Sequence, residues 1–173
     1  MYYSSVKLAD CANGVGMRTC LFVSGCTHHC RGCFNPETWP FDAGEPYTKE
    51  VEDQIIQSMQ NGCIDGLSIL GGEPMEPENQ VSLLSLALKT KRARKTLWIY
   101  SGYTFEELLH DKRFHVPVVT DQLLECADIL VDGEFVEAEK DITLNYRGSR
   151  NQRIINVPES LRKGRAVLAE ELM

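Results

Sequence analysis

The chain has no long apolar run, so no stretch of its 173 residues reads as a membrane span. It has no basic excess: Lys and Arg number 18 against 25 Asp and Glu, a formal net charge of −7. That balance argues against a surface built as a whole to grip nucleic acid. There is no internal repeat, low-complexity tract or linker, so a single domain over residues 1–173 is expected. The first residues, Met-Tyr-Tyr-Ser-Ser-Val-Lys, lack the charged and apolar regions of a signal peptide. Seven cysteines is an odd number, and three of them crowd one loop, so a secreted disulfide framework is not expected. A reducing, cytoplasmic setting is expected instead. The scattered Cys11, Cys20, Cys63 and Cys126 read as ordinary packed thiols.

Hydrophobic content of 43% supports a normal core without staples. Apolar runs alternate with helix-period segments, the pattern of βα units and a mostly parallel sheet. Strands are predicted at 19–25, 66–70, 96–100, 128–132 and 153–157. Helices are predicted over 48–61, with Val51, Ile55 and Met59 inward, and over 77–89, with Val81, Leu84 and Leu88 inward. Another opens at the capping box Thr104-x-x-Glu107, and a further one spans roughly 117–126. The tail from about Pro158 reads as a short helix with a loosely held end. Five or six such units fall short of the eight in a closed barrel. An α/β fold of incomplete, laterally open (β/α)6-type barrel form fits, with a doubly wound open sheet as the alternative.

Chemistry concentrates in Cys26-Thr-His-His-Cys30-Arg-Gly-Cys33, a C-x3-C-x2-C spacing with no fourth cysteine nearby. Three thiolates can hold three irons of a [4Fe–4S] cluster and leave the fourth iron open to another ligand. An open coordination position separates a catalytic metal site from a structural one. A zinc site built from the same cysteines with His28 or His29 is the plainer reading, although structural zinc sites usually draw ligand pairs from separate segments. A second motif, Gly71-Gly72-Glu73-Pro74, directly follows the second predicted strand. Two glycines at the carboxyl end of a parallel strand allow a close backbone approach where such folds place ligands. Read alone, it is also a common strand–helix turn.

With these two motifs in this order, the chain resembles the radical S-adenosylmethionine (SAM) enzymes. Asn13-Gly-Val-Gly-Met-Arg18 before the first predicted strand is similar to the lead-in of the glycyl-radical-enzyme activases. Cys33-Phe-Asn-Pro-Glu-Thr-Trp39, Ser101-Gly-Tyr-Thr104, Leu130-Val-Asp-Gly-Glu-Phe135 and Arg147-Gly-Ser-Arg-Asn-Gln-Arg153 resemble the branch serving anaerobic ribonucleoside-triphosphate reductase. The resemblance implies a [4Fe–4S] cluster on Cys26, Cys30 and Cys33, its open iron taking the methionine amino and carboxylate groups of SAM. It implies that Gly71, Gly72 and Glu73 orient that methionine end. Ser101 would bond the carboxylate or ribose, and Asp132 would accept from ribose hydroxyls or serve the fold as a cap. Members commonly carry an aromatic residue just before the third cysteine; here Gly32 holds that place and Phe34 follows. Gly32, Cys33 and Phe34 are therefore the candidates on the adenine side.

The implied reaction passes an electron from the cluster to SAM, releasing methionine and a 5′-deoxyadenosyl radical. That radical takes hydrogen from a glycine Cα in the large subunit of the reductase. No catalytic acid, base or nucleophile is needed. Activation of another glycyl radical enzyme, radical chemistry on a small molecule, and a non-catalytic zinc module remain as alternatives. Two smaller expectations follow. Lys89-Thr-Lys-Arg-Ala-Arg-Lys95 reads as a solvated helix end, or as a docking patch for a reduced flavodoxin-like donor. So few βα units also leave one side of the site open, to be completed by the partner protein.

Overall fold

The computed structural model describes residues 1–173. Strands β1 (Tyr2–Asp10), β2 (Arg18–Val23), β3 (Glu45–Pro46), β4 (Gly66–Gly71), β5 (Thr96–Tyr100), β6 (Ile129–Asp132) and β7 (Arg153–Asn156) form one seven-stranded sheet in the order β3-β1-β2-β4-β5-β6-β7. Strands β2, β4, β5 and β6 run parallel. Strands β1 and β7 run antiparallel to their neighbours β2 and β6, and β3 antiparallel to β1. The count of parallel strands is thus four. The final strand turns back because residues 133–152 carry no crossover helix, only a 3-10 turn at Glu137–Glu139. A parallel return would need such a crossover.

Helices α1 (Lys49–Ser58), α2 (Pro77–Arg92), α3 (Phe105–His110), α4 (Val119–Cys126) and α5 (Val157–Lys163) all feed one core. Into it point Leu21 and Val23, Leu67 and Ile69, Leu97 and Ile99, and Leu130 from successive strands. Alternate residues face the other way, as strand geometry requires. On that second face Trp98, Ile129, Val131 and Ile154 pack with Ala169 from the tail. A doubly wound sheet layers helices on both faces; here they lie behind one face only.

Several predicted details differ. Helix α1 buries Ile55 and Met59 as expected, but α2 leaves Val81 exposed and buries Asn79, Gln80, Leu83, Leu86, Ala87 and Thr90. Gln80 spans the core by donating to the carbonyls of Met75 (2.7 Å) and Phe114 (2.8 Å). The capping box is present: Thr104 Oγ1 accepts from the Glu107 N–H at 3.3 Å, and the Glu107 carboxylate accepts from the Thr104 N–H at 2.8 Å. The tail is held firmly. Ala169 is buried, its N–H donates to Ile154 O at 2.8 Å, and Asn156 N–H donates to Val167 O at 2.9 Å. Strand β1 has no counterpart in the predicted set, since its polar, half-exposed sequence carries little hydrophobic signal.

At the amino ends of the parallel strands lies a buried arginine. Arg18 donates to Ser68 Oγ (2.7 Å), Leu67 O (2.7 Å), Thr96 O (3.1 Å), Thr96 Oγ1 (3.0 Å) and Val15 O (3.2 Å). Its guanidinium also stands 5.3 Å from the centre of the Trp98 ring. The arginine therefore ties β2, β4 and β5 together by filling acceptors that would otherwise be buried unpaired. Arg18→Ala is expected to lower unfolding free energy by about 3 kcal/mol, because several orphaned acceptors replace one satisfied cation. Chemical denaturation checks this, and a loss under ~1 kcal/mol would show that water repairs the gap.

Candidate active site

Strands β2 and β4 lie side by side, so the loops leaving their carboxyl ends must meet. The first loop carries the three cysteines, and the second is the Gly-Gly-Glu turn. Main-chain bonds join them: Gly72 N–H donates to Val23 O (2.8 Å) and Glu73 N–H to Gly25 O (2.8 Å). A Cβ on Gly72 would stand 2.7 Å from Gly25 O, and one on Gly71, whose φ is +109°, would stand 2.8 Å from Val23 O. The two glycines thus allow the chain to approach itself, which brings the turn against the root of the cysteine loop. Thr27, one residue past Cys26, fixes the loop from above: its N–H (2.8 Å) and hydroxyl (2.6 Å) both donate to the buried Glu76 carboxylate.

Glu73 is the centre of this arrangement. Its carboxylate is almost fully buried, with Oε1 accepting from Met75 N–H (2.7 Å) and Ser101 Oγ (2.9 Å). Its Oε2 accepts from Gly102 N–H at 2.6 Å and meets His28 Nε2 at 3.1 Å. Four donors fill its acceptor capacity. His28 reaches Glu134 Oε1 with Nδ1 at 2.9 Å and lies 4.3 Å, centre to centre, from the Tyr103 ring. Burial alone would lower its pKa, but the hydrogen bond and charge of Glu73, then of Glu134, push it up to about 9. Both ring nitrogens therefore carry protons at neutral pH. His29 has no such role; it sits at φ +50° with its ring 4.7 Å from Trp39.

A cavity of 510 Å³ opens in front of the loops, on the helix-free face of the sheet. It is lined by Cys26, Cys30, Cys33, Phe34, Gly71, Gly72, Glu73 and Ser101, so eight of the sequence-derived candidates meet on one wall and rim. Gly32 and Asp132 do not reach it. A side chain at Gly32 would run into Glu137, while Asp132 is buried behind the sheet end. There the Asp132 carboxylate accepts from Phe105 N–H at 2.8 Å, at the start of α3, and from Arg153 Nε (2.9 Å) and Nη2 (2.5 Å). That is the capping role. Phe34 is 56% exposed, 5.0 Å from the Phe135 ring, with Lys140 Nζ 4.8 Å above it.

The opposite wall had little sequence signal beyond the two motifs that hold Asn13 and Arg147. It comes from β1 and its loop (Lys7, Ala12, Asn13) and from a strap over residues 140–149 that supplies Asp141, Ile142, Leu144, Tyr146 and Arg147. The strap is closed by a bridge between Lys140 and Ser149, by the Arg150–Asp141 ion pair at 2.9 Å, and by Gln152, whose side-chain oxygen accepts from Gly148 N–H at 2.8 Å. The Arg147–Arg153 run thus contributes Arg147 to the cavity and uses Arg150 and Arg153 as internal ties. The basic run 89–95 lies elsewhere. Lys89 pairs with Glu52, and Lys91 with Asp128 at 2.8 Å. Lys95 donates to Ile64 O at 2.5 Å, leaving Arg92 and Arg94 exposed. It also sits at the amino end of β5, about 16 Å of strand away from the cysteine loop.

The donor set suits an iron–sulfur group. Burial, with the charges of Glu73 and Glu76 adding to it, pushes the Cys26 thiol up to about 12, and burial raises Cys30 as well. Thiolates there need a cationic partner, which iron supplies. Gly72→Ala is expected to cost about 2 kcal/mol of stability by forcing the turn off Gly25. Denaturation of the apoprotein measures it, and an unchanged midpoint would mean that the turn shifts freely.

Residues 12–155 match the family described as a 4Fe-4S single cluster domain. A Vibrio cholerae protein named anaerobic ribonucleoside-triphosphate reductase-activating protein is 40% identical over 158 residues, covering 89% of this chain and 97% of that relative. The Escherichia coli K12 protein of that name is 38% identical, over 88% of this chain and 96% of its own. The one from Enterobacteria phage T4 is 32% identical, over 89% and 93%. With the match spanning both loops and nearly every strand, the chain belongs to the family of anaerobic ribonucleoside-triphosphate reductase-activating proteins.

Proposed function

We propose that the chain is a radical SAM activase that generates a glycyl radical on the large subunit of an anaerobic ribonucleoside-triphosphate reductase. The observation that carries this reading is the joining of the three-cysteine loop and the Gly71–Glu73 turn at the carboxyl ends of adjacent parallel strands, both facing one cavity. The relatives' names supply the target. Helices on one face and an open cavity on the other fit a laterally open partial barrel.

Cys26, Cys30 and Cys33 hold the cluster. A [4Fe–4S] cluster held there would supply the electron for reductive cleavage of SAM to methionine and the adenosyl fragment, and so the means to remove a hydrogen atom from a glycine Cα of the partner. The rest is positioning by this chain. Gly71 and Gly72 present main chain to the methionine end of SAM. Glu73 keeps that surface in place through its bonds to Ser101, Gly102 and His28, with its own carboxylate already filled. Cys33 and Phe34 flank the adenine side, and Phe135 backs the Phe34 ring. The partner's glycine-bearing segment enters between β1 and the strap and excludes water from the radical.

A reduced flavodoxin-like donor supplies the electron. The protein works in the cytoplasm, where thiols such as the exposed Cys11 and Cys63 stay reduced. No helix is long and apolar enough to cross a membrane.

Replacing Cys26, Cys30 or Cys33 by Ala should remove most bound iron and all SAM cleavage, whereas Ala at Cys11, Cys20, Cys63 or Cys126 should retain iron. Iron analysis after anaerobic reconstitution checks the assignment, which fails if Cys63→Ala loses as much as Cys30→Ala. A second measurement addresses the substrate. With the reductase deuterated at glycine Cα, deuterium should appear in 5′-deoxyadenosine and a radical signal on the reductase. Coupled turnover on a small metabolite without the reductase would reject the reading.

A further inference from the structure

The strap that walls the cavity is fastened to the cysteine loop at its base. The Phe34 ring, next to Cys33, lies on Gly148, where an added Cβ would stand 2.8 Å from the ring. The same ring packs 5.0 Å from Phe135, with Lys140 Nζ 4.8 Å above it. Arg31 adds an ion pair to Glu137 at 3.0 Å, just ahead of the strap. The tip of the strap is pinned as well. Asp141 Oδ1 accepts from the N–H (3.0 Å) and the hydroxyl (2.6 Å) of Thr143, and Oδ2 accepts from Arg150 Nε (3.1 Å) and Nη2 (2.9 Å). Between Asp141 and Thr143 stands Ile142, 89% exposed, the most exposed of the large apolar side chains. It also lines the cavity, so it stands at the mouth rather than on a remote surface.

Single exposed apolar residues are ordinary on protein surfaces. Ile142 differs in being held still at an entrance. A β-branched side chain in a pinned turn has few rotamers to lose, so a partner that buries it forfeits little ordering entropy. The polar groups on either side are already matched to one another through Asp141, Thr143 and Arg150, so covering them strands no charge. Whatever enters the cavity passes beside this side chain. In the function proposed above, on which this inference rests, the visitor is a glycine-bearing segment of the reductase. Glycine has no side chain to mark its place, so its position must be set by contacts next to it. We propose that Ile142 is a docking knob that inserts into an apolar recess of the reductase beside that segment, and that the strap fixes the distance from this contact to the cysteine loop. A second copy of the chain seated on Ile142 would block the entrance, so the knob serves the reductase instead.

The test uses the anaerobically reconstituted protein with SAM, a chemical reductant and the purified reductase. Ile142→Ala and Ile142→Asp are compared with a control, Val81→Asp, at a 62% exposed position on α2 in the helical layer behind the sheet. Four quantities are read: melting temperature, SAM affinity by equilibrium dialysis, mass by sedimentation, and glycyl radical yield against reductase concentration. The reductase concentration giving half-maximal yield is expected to rise about tenfold in Ile142→Ala, the scale of one apolar side chain left uncovered, and further in Ile142→Asp. The yield at saturating reductase, the SAM affinity and the melting temperature should hold, since the side chain packs on nothing within the fold. Unchanged half-saturation in Ile142→Asp overturns the proposal. So does an equal rise in Val81→Asp, which would trace the effect to added charge alone. A fall in SAM affinity would assign Ile142 to the cofactor, and loss of a wild-type oligomer would assign it to a second copy; either overturns the knob. In each of these cases a radical formed by the wild type leaves the proposed function standing. If the wild type cleaves SAM yet leaves no radical on the reductase, the functional reading itself fails and the inference with it.

Discussion

A carboxylate taken out of water must have its lone pairs filled by the protein, and Glu73 draws its donors from three separate stretches of chain. One is its own turn, through Met75. Another follows β5, through Ser101 and Gly102. The third is the cysteine loop, through His28. No one of these stretches can move without orphaning a buried acceptor, so three strand ends behave as a single block. Asn79 on α2 extends the block by donating to Ser24 O (3.0 Å) and Glu73 O (2.9 Å), which fastens it to the helical layer behind. The rigid back leaves the front of the sheet free for ligands.

Much of the fold was legible because its signals are local. Leu67 to Leu70 and Leu97 to Ile99 are short apolar runs with flanking polar residues, and both are strands. The box at Thr104 and Glu107 depends on side chains three residues apart, and it is present. The α2 face was misread because periodicity counts apolar residues, while this helix buries Asn79, Gln80 and Thr90 for their hydrogen bonds to main chain and loops. Strand β1 was invisible for the opposite reason. Its mixed, half-exposed residues form a strand because β2 offers an edge, not because their own pattern demands one.

The site divides along the same line. The cysteines lie within eight residues of one another, so spacing sufficed. Glu73 and His28 are 45 positions apart, and nothing in either segment announces that the carboxylate is consumed by the imidazole and its neighbours. Asp132 and Arg153 show how a candidate can be turned inward: the ion pair and the start of α3 hold the buried carboxylate away from the cavity. Tyr100 closes an apolar strand and reads as an ordinary core aromatic, yet its side chain lines the cavity.

The two margins of the sheet bear on how this protein meets another. Strand β3 is two residues long and ends in Pro46, which has no N–H to offer a neighbour. At the other margin β7 is already engaged by the returning tail through the Ile155–Leu168 bridge. Short, proline-blunted or covered margins resist pairing with a foreign strand. Association by sheet extension, which reads sequence weakly and invites self-stacking, is therefore closed at β7 and where β3 covers Tyr2 and Tyr3, while the outer edge of β1 beyond Tyr3 carries no paired strand. A visitor also meets the front of the sheet, with its 89% exposed Ile142 at the rim. Selectivity there falls to side chains and loop shape.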